Sequence, residues 1–136
     1  VPIARMLEKF DYIWGFAAAT AQEALQLRRA GITRPILILG LVFEEYYKEL
    51  AENDVRMAVC DYETARKFNK AAEAAGKKGL IHLAADTGMT RIGLRTAKRV
   101  WRKSAELQLF PMWKLKVYSL TLQEQMNTTV PRQWFS

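Results

Sequence analysis

The chain has 136 residues, half of them hydrophobic, which suits one domain or part of a larger one with a substantial core. No run of about eighteen consecutive apolar residues occurs, so we expect no membrane-spanning segment, and we expect no signal peptide. The single cysteine, Cys60, excludes an internal disulfide and favours a reducing, cytoplasmic compartment. One histidine and one cysteine make a zinc site implausible, so no metal is expected.

The net charge of +7 is concentrated in one part of the chain. Residues 1–94 hold 13 Lys or Arg against 12 Asp or Glu, whereas residues 95–136 hold 8 against 2. A cluster in the second part could contact phosphates, because it surrounds Trp101 with Lys98, Arg99, Arg102 and Lys103. Runs of charge are usually solvated faces, however, so we expect no nucleic-acid partner.

The first part of the chain alternates strand and helix patterns. Residues 14–18 are a short apolar run, and Thr20 with Glu23 then forms the T-x-x-E capping box that begins a helix. Gly31 stands where a left-handed residue commonly ends a helix. Residues 36–39 are a continuous apolar run, typical of a strand buried on both faces. The inner face of the helix is predicted to carry Ala24, Leu25 and Leu27.

The same alternation continues after a break at Gly40. Residues 57–60 form the next short strand, Asp61 is placed to cap a helix that Gly76 ends, and a further strand begins at Gly79. Helical spacing predicts that the helix before Asp61 buries Phe43, Tyr47, Leu50 and Ala51, and that the helix after it buries Ala65, Phe68, Ala72 and Ala75.

Four strand patterns start near residues 14, 36, 56 and 79, so each βα unit takes about 20–23 residues. Repeated βα units predict an α/β fold with a parallel sheet and right-handed crossovers. About four units fit either a doubly wound sheet or part of a (β/α)8 TIM barrel. Neither G-x-G-x-x-G nor G-x-x-x-x-G-K-[ST] follows a strand pattern, which counts against a doubly wound nucleotide-binding domain.

The most specific motif lies at the end of the fourth strand pattern. Residues 82–93 read H-L-A-A-D-T-G-M-T-R-I-G, an apolar strand that runs directly into a polar turn with glycines. Ligand sites in α/β proteins are built in this way, at the carboxyl ends of strands. The pattern D-T-G-M-x-R-x-G, with a histidine four residues before the aspartate, resembles that of alanine racemases, which use pyridoxal phosphate (PLP). Residues 15–32 and 35–40 are also similar to the amino-terminal barrel of that family, so the resemblance covers roughly residues 1–94 and favours a partial TIM barrel.

The resemblance implies that Arg91 lies near the phenolic oxygen of the cofactor and the substrate carboxylate. A guanidinium suits this position because it stays charged and presents a planar fork of donors to oxygen atoms. Met89 is placed beside the substrate by the same motif, although packing is its more ordinary role. Many family members carry a lysine where this chain has Ala84, which leaves open how Arg91 is held.

The other motif residues are interpreted as support for the turn. We interpret His82 as a hydrogen-bonded core residue of the strand rather than as a base. Asp86 is expected to form a local salt bridge or to cap the turn, and Thr87 and Gly88 complete it.

Two elements that the family needs for catalysis do not occur in this sequence. The family holds its cofactor with a lysine in a K-A-x-A-Y-G-H-G motif, and its second base is a tyrosine in a later β-rich domain. Racemisation removes a proton from one side of the substrate carbon and returns one to the other, so bases are needed on both faces. Because residues 1–7 resemble the stretch that directly follows the lysine motif, we expect a fragment that contains no catalytic residue and is inactive alone.

Residues 94–136 differ in composition from residues 1–93. They contain neither Gly nor Asp, and three of the four Trp. Loss of one T from a Phe codon after Gly93 would convert codons for F-A-D-C-E-E-S-V into codons for residues 94–100. Codons permitted by residues 114–124 allow E-I-E-G-I-F-[ST]-H-F-A-R-A in the restored frame, similar to the next barrel strand of the family. We therefore predict a domain fragment over residues 1–93 and an out-of-frame, atypical basic tail over residues 94–136. The alternative is that the tail is a genuine divergent segment, with a helix over 95–107 and a strand over 113–120.

The resemblance implies a fragment of a PLP-dependent alanine racemase, an isomerase that interconverts L- and D-alanine for peptidoglycan precursors. The expected partners are an amino acid substrate and, in the intact enzyme, a second identical subunit. A non-catalytic PLP-binding barrel protein is the alternative, although such proteins lack the D-T-G-M-x-R turn, and a racemase acting on serine is another. Strands near Trp14 and Leu80 are expected to lack neighbours, which predicts self-association of the isolated chain.

Overall fold

The structure is a computed structural model that describes residues 1–84, 86, 93 and 114–117. Within this part of the chain, no helix combines the length and the apolar character needed to cross a bilayer. The elements in chain order are α1 (Pro2–Leu7), β1 (Phe16–Ala18), α2 (Ala21–Arg29), β2 (Ile36–Ile38), a 3₁₀ turn (Glu44–Tyr46), α3 (Tyr47–Glu52), β3 (Arg56–Val59), α4 (Tyr62–Ala74), β4 (Leu80–Leu83) and β5 (Lys114–Val117).

The strands form one sheet in the order β1-β2-β3-β4-β5, and every neighbouring pair is parallel. A doubly wound sheet reverses its strand order at a switch point, whereas a barrel adds each new strand on the same side of the last. The uninterrupted order therefore confirms the predicted α/β fold and its assignment as part of a TIM barrel.

The two faces of the sheet differ sharply in what they carry. Residues on one face pack against the helices and are at most 2% exposed: Ile36, Ile38, Met57, Val59, Ile81 and Leu83. The residues that alternate with them form a second face, which we call the inner face: Ala17, Leu37, Arg56, Ala58, Leu80 and His82. In a closed barrel the face without helices becomes the interior, so the inner face is the wall on which a site would be built.

The predicted helix ends are confirmed by their hydrogen bonds. The side chain of Thr20 accepts from the backbone of Glu23, and the Glu23 carboxylate accepts in return from Thr20, which completes the capping box of α2. Asp61 caps α4 by accepting from the backbone N–H of Thr64 at 2.8 Å. Gly31 and Gly76 follow α2 and α4 with φ of 86° and 66°, a left-handed backbone that favours glycine.

Two expectations drawn from the sequence are wrong. Phe43 is 75% exposed rather than buried, because the chain is still extended at this residue and α3 begins only at Tyr47. Leu80 does not lie on an edge strand, because β4 pairs with β5 on its far side. Among the described strands, the edges of the sheet are therefore β1 and β5.

The ring of Phe68, which lies between α3 and α4, is the largest fully buried side chain among the described residues. It is fully buried and meets the ring of Tyr47 edge-on, with centroids 5.6 Å apart. We expect Phe68→Ala to lower the free energy of unfolding by about 3–5 kcal/mol, because it leaves a cavity in a packed layer. Urea denaturation followed by circular dichroism measures this loss. Phe43→Ala is the matched control and should change stability by less than about 0.5 kcal/mol, since that ring is in solvent; equal losses in the two variants would contradict the packing described here.

Candidate active site

The carboxyl ends of all the strands meet at one edge of the sheet, because the strands are parallel. At this edge β3 is followed by Cys60, and β4 is followed by Ala84. The ladder extends one residue past β4, since the Ala84 N–H donates to the Val59 carbonyl at 2.9 Å. The D-T-G-M-x-R-x-G motif therefore leaves the sheet at its carboxyl edge, where barrel enzymes build their sites.

Two described residues of the motif show how it returns to this edge. Asp86 is partly buried just beyond β4, and the backbone N–H of Gly93 donates to the thiol of Cys60 at the end of β3. Asp86 and Gly93 thus lie at the ends of two neighbouring strands, β4 and β3. Gly93 has φ of 121°, a backbone conformation that side chains with a Cβ rarely adopt, which explains a glycine as the last residue of the motif.

Burial is the main influence on the Cys60 thiol. It raises the pKa of Cys60, the N–H from Gly93 lowers it, and the charge of Asp61 raises it again, so that the pKa lies above its ordinary value. The thiol is therefore protonated at neutral pH and is a poor nucleophile. Its place at the end of β3 makes it a contact for the motif rather than a reacting group.

His82 and Ala84 lie on the strand side of the motif. His82 is 2% exposed on the inner face of β4, opposite Ala58 in the register, and Ala84 is buried as well. The role of His82 stays a prediction. Four site residues named from the sequence lie outside the described residues: Thr87, Gly88, Met89 and Arg91.

The neighbouring strand ends add a close backbone contact and an apolar rim. A Cβ on Gly40, just after β2, would lie 2.2 Å from the carbonyl oxygen of Ala19, so only glycine fits there. Leu41 and Phe43 follow and are 86% and 75% exposed, which leaves two large apolar side chains beside the carboxyl edge. Among the described residues no group of His, Cys, Asp and Glu could hold a metal ion.

The similarity of this chain to known proteins shows which family it belongs to. The profile of the alanine racemase N-terminal domain matches residues 1–125. The chain belongs to this family. Among its curated relatives, the alanine racemase of Methanococcus maripaludis is 46% identical over 82 residues (60% of this chain, 22% of the relative). Alanine racemase 1 of Oceanobacillus iheyensis is 40% identical over 109 residues (79% of this chain, 28% of the relative).

Solved structures agree with this membership in the alanine racemase family. The alanine racemase of Clostridium difficile 630 in complex with cycloserine superposes with a TM-score of 0.81 and 34% identity, over 88% of this chain and 33% of that one. The chain thus spans 22–33% of the length of these relatives. The family match confirms the resemblance drawn from the D-T-G-M-x-R-x-G motif. The alanine racemase family is PLP-dependent.

One contact at the carboxyl edge was not predicted from the sequence. The approach of Gly93 to Cys60 joins residues 33 positions apart, and no local pattern marks it. The available signal was the strand end at Cys60 together with parallel pairing, which places the ends of neighbouring strands side by side.

We expect iodoacetamide to alkylate Cys60 of the folded chain at pH 8 more slowly than in the urea-unfolded chain, because burial raises the pKa of Cys60 and leaves less thiolate. Mass spectrometry of timed samples gives both rates. Gly93→Ala should slow alkylation of the folded chain further, since alanine disfavours the backbone conformation that brings this N–H to the thiol, and its loss raises the pKa of Cys60. Equal rates in the folded and unfolded chains would show that Cys60 is not buried at the carboxyl edge.

Proposed function

We propose that this chain forms the first strands of the PLP-binding barrel of an alanine racemase that interconverts L- and D-alanine. The observation that carries the proposal is the position of the two described motif residues, Asp86 just beyond β4 at the carboxyl edge and Gly93 beside Cys60 at the end of β3. Arg91 precedes Gly93 by two residues, so the proposal assigns it to the phenolic oxygen of the cofactor and to the substrate carboxylate. Met89 is assigned to the substrate.

The described residues fit one wall of a cofactor pocket. The inner face near the carboxyl edge carries Ala58, whose small side chain leaves room beside a planar ring. The lysine motif of the family does not occur in the sequence. Bound PLP would supply an electron sink for the substrate carbon, whereas this chain would supply donors that orient the substrate and the ring.

The wider setting of the enzyme is part of the same proposal. We propose a cytoplasmic enzyme that supplies D-alanine for peptidoglycan precursors and works as a homodimer. Its single cysteine supports a reducing compartment. The exposed side chains of Leu41 and Phe43 support coverage of the carboxyl edge by further protein, since large apolar side chains in solvent are unfavourable.

A chimera tests the proposed function directly. We expect Clostridium difficile alanine racemase to keep alanine racemisation when residues 1–93 of this chain replace its equivalent segment, because the wall of the site is then complete. Arg91→Ala in the chimera should lower kcat/KM by about 10²–10³, the usual cost of removing one preorganised donor to a charged group. A coupled D-amino acid oxidase assay gives the rate, and serine in place of alanine reports substrate preference.

Two controls accompany the chimera. Arg66→Ala should leave its activity unchanged, because Arg66 lies on the exposed side of α4 and pairs with Glu63 at 2.8 Å, with the helix between it and the inner face. The isolated 136-residue chain should show no PLP-dependent racemisation, since it has no motif to hold the cofactor. An Arg91→Ala chimera as active as its parent would remove Arg91 from the site.

A second chimera, carrying residues 1–125, tests the domain boundary proposed at residue 93. An out-of-frame tail predicts loss of activity in this chimera, whereas a genuine segment predicts that activity is kept. Two observations favour the genuine segment: the family match reaches residue 125, and β5 pairs with β4 in parallel register. Sequencing the gene through the Gly93 codon decides between the two. A Phe codon directly after Gly93 supports the out-of-frame tail, whereas an unbroken reading frame without a disrupted Phe codon supports the genuine segment.

A further inference from the structure

Arg56 lies at the edge of the sheet opposite the candidate active site. It is the first residue of β3, it is partly buried on the inner face, and it stands beside Leu37 in the register. Its guanidinium carbon is 4.8 Å from the ring centroid of Trp14, just before β1, in cation–π geometry. Since β3 rises by about 3.3 Å per residue, Arg56 is about 10 Å or more from the carboxyl edge.

The donors of Arg56 are unused within the described part of the chain. The Nε atom is shielded from solvent and has no hydrogen-bond acceptor, and no carboxylate there forms an ion pair with Arg56. A buried N–H without an acceptor is unfavourable and calls for an explanation. The contact with Trp14 is a cation–π interaction, which uses the charge of the guanidinium but none of its N–H groups as donors to an oxygen.

A second arginine, Arg28, adds positive charge to this edge, but its hydrogen bonds are made within the protein. Burial lowers the pKa of Arg28, and the charge of Arg56 lowers it further, which places the two cations near each other. The N–H groups of Arg28 already donate to four backbone carbonyls, those of Ile32, Arg34, Asn53 and Asp54. Arg28 therefore strengthens the local positive potential while its own hydrogen bonds hold the strand connections together.

The carboxylates near Arg28 have other partners. Asp54 pairs with Lys77 at 3.4 Å, and Glu8 accepts from the backbone N–H groups of Thr33 and Arg34 at 2.6 and 2.9 Å. Neither carboxylate is thus available to Arg56. Of the two neighbouring cations, Arg28 uses four of its five N–H groups, whereas Arg56 donates no hydrogen bond among the described residues.

We propose that Arg56, held in place by Trp14, forms an oxyanion site at the amino edge of the inner face. The ligand is a small oxyanion, either a free anion such as inorganic phosphate or a carboxylate of the remaining barrel wall. Two in-plane N–H groups of a guanidinium match two oxygens of such a group in a bidentate arrangement. The site is separate from the carboxyl edge and independent of the racemase proposal.

Trp14 makes the site measurable by fluorescence. Replacing the other tryptophans through Trp101→Phe, Trp113→Phe and Trp134→Phe leaves Trp14 as the only emitter. Titration of this chain with sodium phosphate at constant ionic strength should give a saturable change in emission with a midpoint in the millimolar range. Arg56→Met should abolish the change, and Arg56→Lys should raise the midpoint about tenfold or more, because an ammonium lacks the planar fork.

Controls separate the site from general effects of charge and folding. Arg66→Met removes an arginine from α4 and should leave the midpoint unchanged, and near-ultraviolet circular dichroism checks that each variant is folded. Repeating the titration in the chimera with residues 1–93 identifies the source of the ligand: a response there indicates a free anion, and its loss there alone indicates a carboxylate of the barrel wall. No saturable change in the 136-residue chain, or equal midpoints for the parent and Arg56→Lys, would overturn the proposal.

Discussion

Pairing between neighbouring parallel strands is the constraint on which the other features depend. The pairing fixes Met57 opposite Ile81 and Val59 opposite Leu83, and these side chains pack beneath the helices. A slip of β3 by one residue would turn Met57 and Val59 to the inner face and push Arg56 into the apolar layer. Burying an unpaired guanidinium there is costly, so the alternation in β3 specifies a single register.

This register separates the two edges of the inner face. The carboxyl edge receives Cys60, the start of the D-T-G-M-x-R-x-G motif and its return through Gly93. The amino edge receives Arg56, stacked on Trp14. A barrel with parallel strands can thus place substrate chemistry at one end and a structural or anion-binding charge at the other. Membership in the alanine racemase family agrees with a substrate site at the carboxyl end.

Local features of this fold were predictable from the sequence, whereas contacts between distant residues were not. The caps at Thr20 and Asp61 are decided by hydrogen bonds within four residues, so their side chains identify them. The start of α3 depends on how the chain leaves the carboxyl edge, and for this reason the spacing of Phe43 was misleading. The place of β4 inside the sheet required a strand from the atypical tail, which no periodic pattern marks strongly.

The site shows the same division between local and distant information. The motif indicated the family and the strand end, because its glycines and its arginine have a recognisable spacing. The contact between Gly93 and Cys60 and the stacking of Arg56 on Trp14 needed the register of three strands. The central claim is that the motif presents Arg91 to the mouth of the barrel at the carboxyl edge. A crystal structure of the chimera with residues 1–93 and bound PLP tests it most directly: we expect the Arg91 guanidinium within hydrogen-bond distance of the phenolic oxygen, and a side chain on the outer, helix-covered wall would contradict the claim.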